Sequence, residues 1–336
     1  MRTVEYLSPT SIAKYAEDSK EFYLMYLSEN RPDRFPQTQP MSIGSSFDAH
    51  VKSYLHERLF GKDNDVRFNF EALFESQVEQ HNRDWALPNG RYAFECYKSS
   101  GALADLMITL QGASNTPRFE FDLMGSVNGS REAVNLDDGQ VILLGKPDCH
   151  FINKDGCNVI LDWKVNGYCA KSNTSPKKGY IKLRDGWVGN QSRTHNQGHK
   201  DAQPMMHNGV MINVAHPLET VDQGWANQLS IYGWLLGMPV GSDFVVAIDQ
   251  LACSPDAEKP KIRIAEHRAI VSAPFQETLY AQAVALWKLC HGDHFFQELS
   301  YEDSKALCAS LDLVSESLKG NTEEDAWFKA ACRGVA

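Results

Sequence analysis

One stretch constrains this chain more than any other: GKPDCHFINKDGCNVILDWKVNG, residues 145–167. Residues 141–152 and 157–165 are rich in β-branched and aromatic side chains, and Asn153-Lys154-Asp155-Gly156 between them is turn chemistry. The pattern predicts a β-hairpin. A three-residue loop, Lys154-Asp155-Gly156, puts glycine at the left-handed position such loops favour. Asn153 then pairs with Cys157, and Asp148 falls opposite Asp162, their Cβ atoms roughly 5 Å apart. Lys164 shares that face, whereas Val159, Leu161 and Trp163 point the other way, toward a core. A loop of two or four residues would shift the register by one.

An apolar hairpin with two opposed carboxylates needs a positive charge between them. A divalent cation is one solution, because hard ions take oxygen ligands from one or two carboxylates and complete their shell with water and substrate phosphate. Lys164 beside such an ion would orient a water and offset charge on a phosphate. A solvated hairpin with an Asp–Lys pair is the other reading.

The chain has 336 residues, room for one large domain or two ordinary ones. Its 43% hydrophobic and 23% charged content fits a globular protein. No run approaches a membrane span, and the N-terminus lacks a signal-peptide core. The eight cysteines contain no CxxC, which points to free thiols in a reducing, intracellular setting. The net charge of −10 excludes a globally basic nucleic-acid binder. Residues 164–200 differ: Lys164, Lys171, Lys177, Lys178, Lys182, Arg184, Arg193 and Lys200 face the single acid Asp185, a local net of +7. Such an island focuses polyanions, unless it is only a solvated loop.

Helical periodicity is expected at 8–27, capped by Ser8 or Ser11; at 44–61, with Phe47, Val51, Leu55 and Leu59 on one stripe and Gly61 as its stop; and at 69–80 and 100–112. Residues 31–42, with three prolines, read as a linker. Residues 167–222 read as irregular apart from a β-like piece at 209–215. A helix follows, capped by Asp222 and stopped at Gly237, then strands at 244–253 and 262–272 as an antiparallel pair. Helix returns at 275–292 and beyond residue 301. Gln228 and Tyr232, four apart, share a face of the Asp222 helix.

In that order, GSSFD, GKPD, DWK and QLSIY resemble the motif set of the RecB-like branch of the PD-(D/E)xK nucleases. The resemblance implies an α/β fold with a small mixed sheet of four or five strands flanked by helices, restriction-endonuclease-like, with helical embellishments at both ends. Residues 1–336 would form one nuclease domain. Its mainly helical part is 1–115, its β-rich catalytic core 116–272 with a basic insertion at 166–221, and its helical C-terminal part 273–336. Implied too is a Mg2+- or Mn2+-dependent deoxyribonuclease, an exonuclease or end-processing enzyme of recombination, repair or viral DNA metabolism, in the cytoplasm of a bacterial or phage-infected cell. Its partners would be DNA and a helicase or recombination protein, with no membrane. A non-cutting nucleic-acid scaffold and an RNA nuclease are the rivals.

By the same resemblance Asp148 and Asp162 hold metal, Lys164 assists the water, and Gln228 and Tyr232 orient the site and the DNA backbone. The N-terminal ligand of the family is usually histidine. Here GxxxH spacing from Gly44 gives Asp48, with His50 two residues on; Asp48 is preferred as an oxygen donor. Glu120 or Asp122 would add a carboxylate, alternation placing both on one face. Lys177, Lys178, Lys182 and Arg184 would hold flanking phosphates. No iron–sulfur cluster is expected: no cysteine precedes Cys96, and Cys290, Cys308 and Cys332 are widely spread. Zinc at His195, His199 and His207 is disfavoured, because no cysteine partners them.

Overall fold

The structure, a computed structural model, describes residues 2–31, 35–62, 64–127, 141–171, 191–195, 201–255 and 258–292. Its helices are α1 (Pro9–Glu17), α2 (Ser19–Phe22), α3 (Gln39–Phe60), α4 (Phe70–Gln77), α5 (Arg83–Ser99), α6 (Ala102–Gln111), α7 (Leu218–Val221), α8 (Gln223–Leu235) and α9 (Ala273–His291). Its strands are β1 (Arg118–Phe119), β2 (Leu123–Val127), β3 (Val141–Gly145), β4 (Cys149–Ile152), β5 (Asn158–Asn166), β6 (Gln191–His195), β7 (Pro204–His207), β8 (Val210–Asn213), β9 (Val245–Ser254) and β10 (Lys261–Ala269).

The hairpin forms in the expected register. The Asn153 amide donates to the Cys157 carbonyl at 2.9 Å, Gly156 adopts φ +80°, and the Asn153 side chain accepts from the amides of Asp155 and Cys157. β4 and β5 therefore pair with Cys149 opposite Leu161, the register that brings Asp148, just before β4, to the end of the ladder beside Asp162. The first strand is not continuous, however. Pro147 has no amide hydrogen to offer a ladder, and residues 146–148 leave the strand path. The half before the break, β3, pairs with β2 in a separate two-stranded sheet.

The main sheet is mixed and has six strands rather than four or five, ordered β1-β4-β5-β9-β10-β6. β5 runs parallel to β9 and β10 parallel to β6; the other pairs are antiparallel, including the expected β9–β10. β6 comes from the stretch read as irregular, since its sequence QSRTH carries no apolar alternation. β7 and β8 form a small hairpin around the predicted β-like piece.

Both faces of the main sheet are covered. Val159, Leu161 and Trp163 of β5 pack with α3, α5 and α6. Ile160 packs on the other face with Leu229 and Tyr232 of α8. β9 is buried at every position, as a central strand with a parallel neighbour should be. Phe47, Val51 and Leu55 of α3 are at most 1% exposed, and burial of such side chains contributes about 1.5–3 kcal/mol each.

Among the described residues the helical expectations hold in most places and fail in three; the helix expected beyond residue 301 lies outside them. Ser8 and Ser11 form a capping box on α1, Asp222 caps α8 through the Trp225 amide, and Gly61 and Gly237 close their helices with φ +94° and +90°. The 8–27 helix instead breaks at Asp18, which caps α2. α3 begins at Gln39, inside the supposed linker, because Pro40 sits in its first turn, where a missing amide hydrogen costs nothing. α5 has no counterpart in the reading: Pro88-Asn89-Gly90 resembles a turn but lies mid-helix. Gly90 is needed there, since a Cβ would come within 2.0 Å of Ser46 Oγ on α3. Among the described residues, no helix is long and apolar enough to cross a membrane.

Candidate active site

Asp162 sits on β5, facing α8, 2% exposed. Asp148 lies close enough for the two carboxyls to shift one another's ionisation. Burial, then the Asp148 charge, push Asp162 up to about 7. Asp148 is held below the ordinary value: burial would raise it, but Lys52 and Lys164 outweigh burial. The two shifts run in opposite directions, so of the pair Asp162 is the one that takes a proton first. Asp148 Oδ2 accepts from the Trp163 amide at 3.2 Å, which ties the carboxylate to the strand opposite.

Lys164 Nζ lies 2.5 Å from Asp162 Oδ2, outside hydrogen-bond geometry and an ion pair once Asp162 is ionised, and donates to Gln228 Oε1 at 3.0 Å. Gln228 Nε2 donates to Asp162 Oδ1 at 3.2 Å and to the Tyr232 hydroxyl at 2.9 Å. Asp162, Lys164 and Gln228 thus close a ring, and the turn of α8 from Gln228 to Tyr232 presses it onto the sheet. Burial would lower the Lys164 pKa, but Asp162 and Asp148 raise it, so it stays charged. Burial, then Asp162, push the Tyr232 phenol up to about 12. The glycine of GKPD serves this packing: a Cβ on Gly145 would come within 2.6 Å of the Tyr232 ring.

The other candidates divide. Asp48 and Glu120 join Asp148 around a residue that sequence reasoning missed, Lys52. Its ammonium lies 2.6 Å from Asp48 Oδ2, 2.9 Å from Asp148 Oδ1 and 3.1 Å from Glu120 Oε2. Burial would lower the Lys52 pKa, yet the three carboxylates hold it well above the ordinary lysine value. Burial, against the pull of Lys52, pushes Asp48 up to about 7. Gln77, also missed, donates to Asp48 Oδ2 at 3.0 Å and Glu120 Oε2 at 2.7 Å. The signal for Lys52 was available: it lies four residues after Asp48, on the same helix face. Gln77 gave none.

His50 faces elsewhere, stacked between Phe70 and Phe94 at 4.2 and 5.6 Å, with its pKa lowered to about 4 by burial and then Arg91. Glu120 and Asp122 do not share a face. Glu120 has φ +42°, which breaks the alternation between β1 and β2. Burial would raise the Glu120 pKa, but Lys52 and Lys146, the latter 2.7 Å away, hold it low. Asp122 lines a cavity of about 500 Å3 with Ser8, Thr10, Lys146, Gln228 and Tyr232, beside the Lys164 ring. Lys177, Lys178, Lys182 and Arg184, like His199, Cys308 and Cys332, lie outside the described residues. Of the basic island, Lys164 belongs to the site, and Arg193 pairs with Glu266 and, at 2.8 Å, Asp105.

Asp148 and Asp162 supply carboxylate oxygens, the donors a hard divalent ion takes, and Asp162 Oδ2 accepts no hydrogen bond, with the Lys164 ammonium 2.5 Å from it. Among the described residues, no group of three or more His, Cys, Asp or Glu side chains stands in metal-holding array. Asp48, Glu120 and Asp148 are drawn around Lys52 instead.

No family model matches the chain, and no curated protein does. Among solved structures it is similar to the crystal structure of SSO0001, at 12% identity over 90% of this chain and 95% of that one, with a TM-score of 0.27. A likeness that loose leaves the function to the site itself.

Proposed function

We propose that this chain is a metal-dependent nuclease of restriction-endonuclease-like fold that hydrolyses DNA phosphodiesters. The observation that carries the reading is the Asp148–Asp162 pair with Lys164 locked beside it by Gln228. Asp148 and Asp162 would hold Mg2+ or Mn2+. The ion, when bound, supplies Lewis acidity at a phosphoryl oxygen and lowers the pKa of a water.

The remaining chemistry belongs to the protein. Lys164, charged and fixed at two points, donates to a phosphoryl oxygen or to the attacking water without reorganising during reaction. Gln228 keeps that ammonium aimed. Tyr232, protonated at any physiological pH, offers its hydroxyl toward the neighbouring cavity. That cavity, with Lys146 and the Ser8 and Thr10 hydroxyls on its wall, accommodates a phosphate next to the one being cut. Lys177, Lys178, Lys182 and Arg184 would hold more distant backbone.

The test is incubation of the purified protein with end-labelled linear DNA, circular DNA and RNA of matched sequence, in Mg2+, Mn2+ or chelator. Cleavage should require metal and vanish in Asp162→Asn and Lys164→Met. Cleavage that survives chelation, or both substitutions, would overturn the reading. Circular DNA left intact assigns exonuclease action, and RNA cut in preference to DNA moves the substrate class.

A further inference from the structure

The half of the site that a second divalent ion would fill already holds a cation. An ammonium has three N–H donors. Lys52 has three carboxylate partners, Asp48, Asp148 and Glu120, at 2.6, 2.9 and 3.1 Å, and its side chain is 2% exposed. From the other side, the Gln77 amide spans the same two oxygens, Asp48 Oδ2 and Glu120 Oε2.

The ammonium is enclosed, its side chain 2% exposed. Its neighbours along α3, Val51 and Leu55, are fully buried. The carboxylates come from α3 itself, from the residue after β1 and from the residue before β4, so three elements converge on one nitrogen. Withdrawing it would strand a buried charge and leave three acids facing one another, each far costlier than the present pairing.

Two-ion phosphodiesterases place their cations on either side of a shared carboxylate, clamping the attacking and leaving oxygens. Here Asp148 is that shared residue. Its Oδ1 accepts from Lys52, and its other side faces β5 and Asp162. We propose that Lys52 is a permanent internal cation that replaces a second divalent ion, so that the site takes one ion, between Asp148 and Asp162. The inference rests on the nuclease reading above. It makes Lys52 a positioning residue: it fixes Asp148 and neutralises Asp48 and Glu120.

The measurement is Mn2+ stoichiometry by calorimetry, with electron paramagnetic resonance of the bound ion, on the full chain stripped of metal. The wild type should bind one Mn2+ with the spectrum of an isolated ion, and Asp162→Asn should lose it. Lys52→Met keeps the length, removes the charge and should admit a second ion with a spin-coupled spectrum. Lys52→Arg should still bind one, which keeps the test decisive if Lys52→Met does not fold. Two ions in the wild type would overturn the inference and leave the nuclease reading standing. So would a single ion that survives Asp162→Asn but not Asp48→Asn, or a folded Lys52→Met that binds only one. No ion in the wild type would overturn both.

Discussion

Asp162→Asn should abolish cleavage and, at the same time, flatten the fall in stability with rising pH. The Asp162 carboxyl is raised from 3.8 to about 7, first by burial and then by the Asp148 charge. Between those values the folded chain keeps a proton that the unfolded chain has released. Unfolding free energy therefore drops as pH climbs through the window. Roughly three units at about 1.4 kcal/mol each make the full loss about 4 kcal/mol. About two of those units lie above pH 5, so about 3 kcal/mol is lost between pH 5 and pH 8. Asparagine has no proton to lose, so the variant lacks this loss, while Asp48, also raised to about 7 with burial the main cause, and His50, lowered to about 4, act on both proteins alike and cancel in the difference. The assay is urea unfolding in chelator at several pH values. Chelator matters, because a bound ion would displace the Asp162 proton and mask the effect. The free-energy difference between variant and wild type should move in the variant's favour by about 3 kcal/mol across that range. Parallel curves would refute the claim that burial and the Asp148 charge hold a proton on Asp162.

Lys164→Met should lower single-turnover cleavage at least about 100-fold while the melting temperature stays within a few degrees of wild type; unchanged cleavage would remove Lys164 from the chemistry. Gln228→Ala frees both Asp162 and Lys164 and should lower kcat about tenfold with little change in KM, whereas Tyr232→Phe, which removes one acceptor of the same amide, should do less. Gly90→Ala forces a methyl against Ser46 and should cost about 1–3 kcal/mol in urea unfolding; adding Ser46→Gly should restore most of it. Neutralising Lys177, Lys178 and Lys182 together should flatten the salt dependence of DNA binding by about one unit per lost contact, measured without metal so that nothing is cut.

What the sequence reveals here depends on the range of the interaction. The hairpin register was readable because Asn153-Lys154-Asp155-Gly156 fixes it locally, and from it came the Asp148–Asp162 opposition. The Gln228–Tyr232 face was readable because four residues make one helical turn. The break at Pro147 was visible as a proline but was overridden by the apolar run around it. Glu120 was separated from Asp122 only by a positive φ that no local pattern announces. Lys52 escaped because a lysine beside an apolar stripe normally reaches water. Its burial depends on Glu120 and Asp148, 68 and 96 residues away. α5 was lost because its proline and glycine resemble a turn, while the glycine answers to Ser46 on another helix.

The parallel pairing of β5 with β9 has a consequence for how the chain must be made. β5 carries the most apolar run of the hairpin, and β4 protects only one of its edges. The other edge has no partner until Val245 and the residues after it have been synthesised. Roughly 80 residues separate the two strands, which at ribosomal speeds of about 5–20 residues per second is a delay of about 4–16 seconds. Through that interval an unpaired strand edge is open to other nascent chains, the template that folded sheets keep covered. Chains that stop short of residue 245 should accumulate as aggregates, while those that reach residue 254 can close the edge.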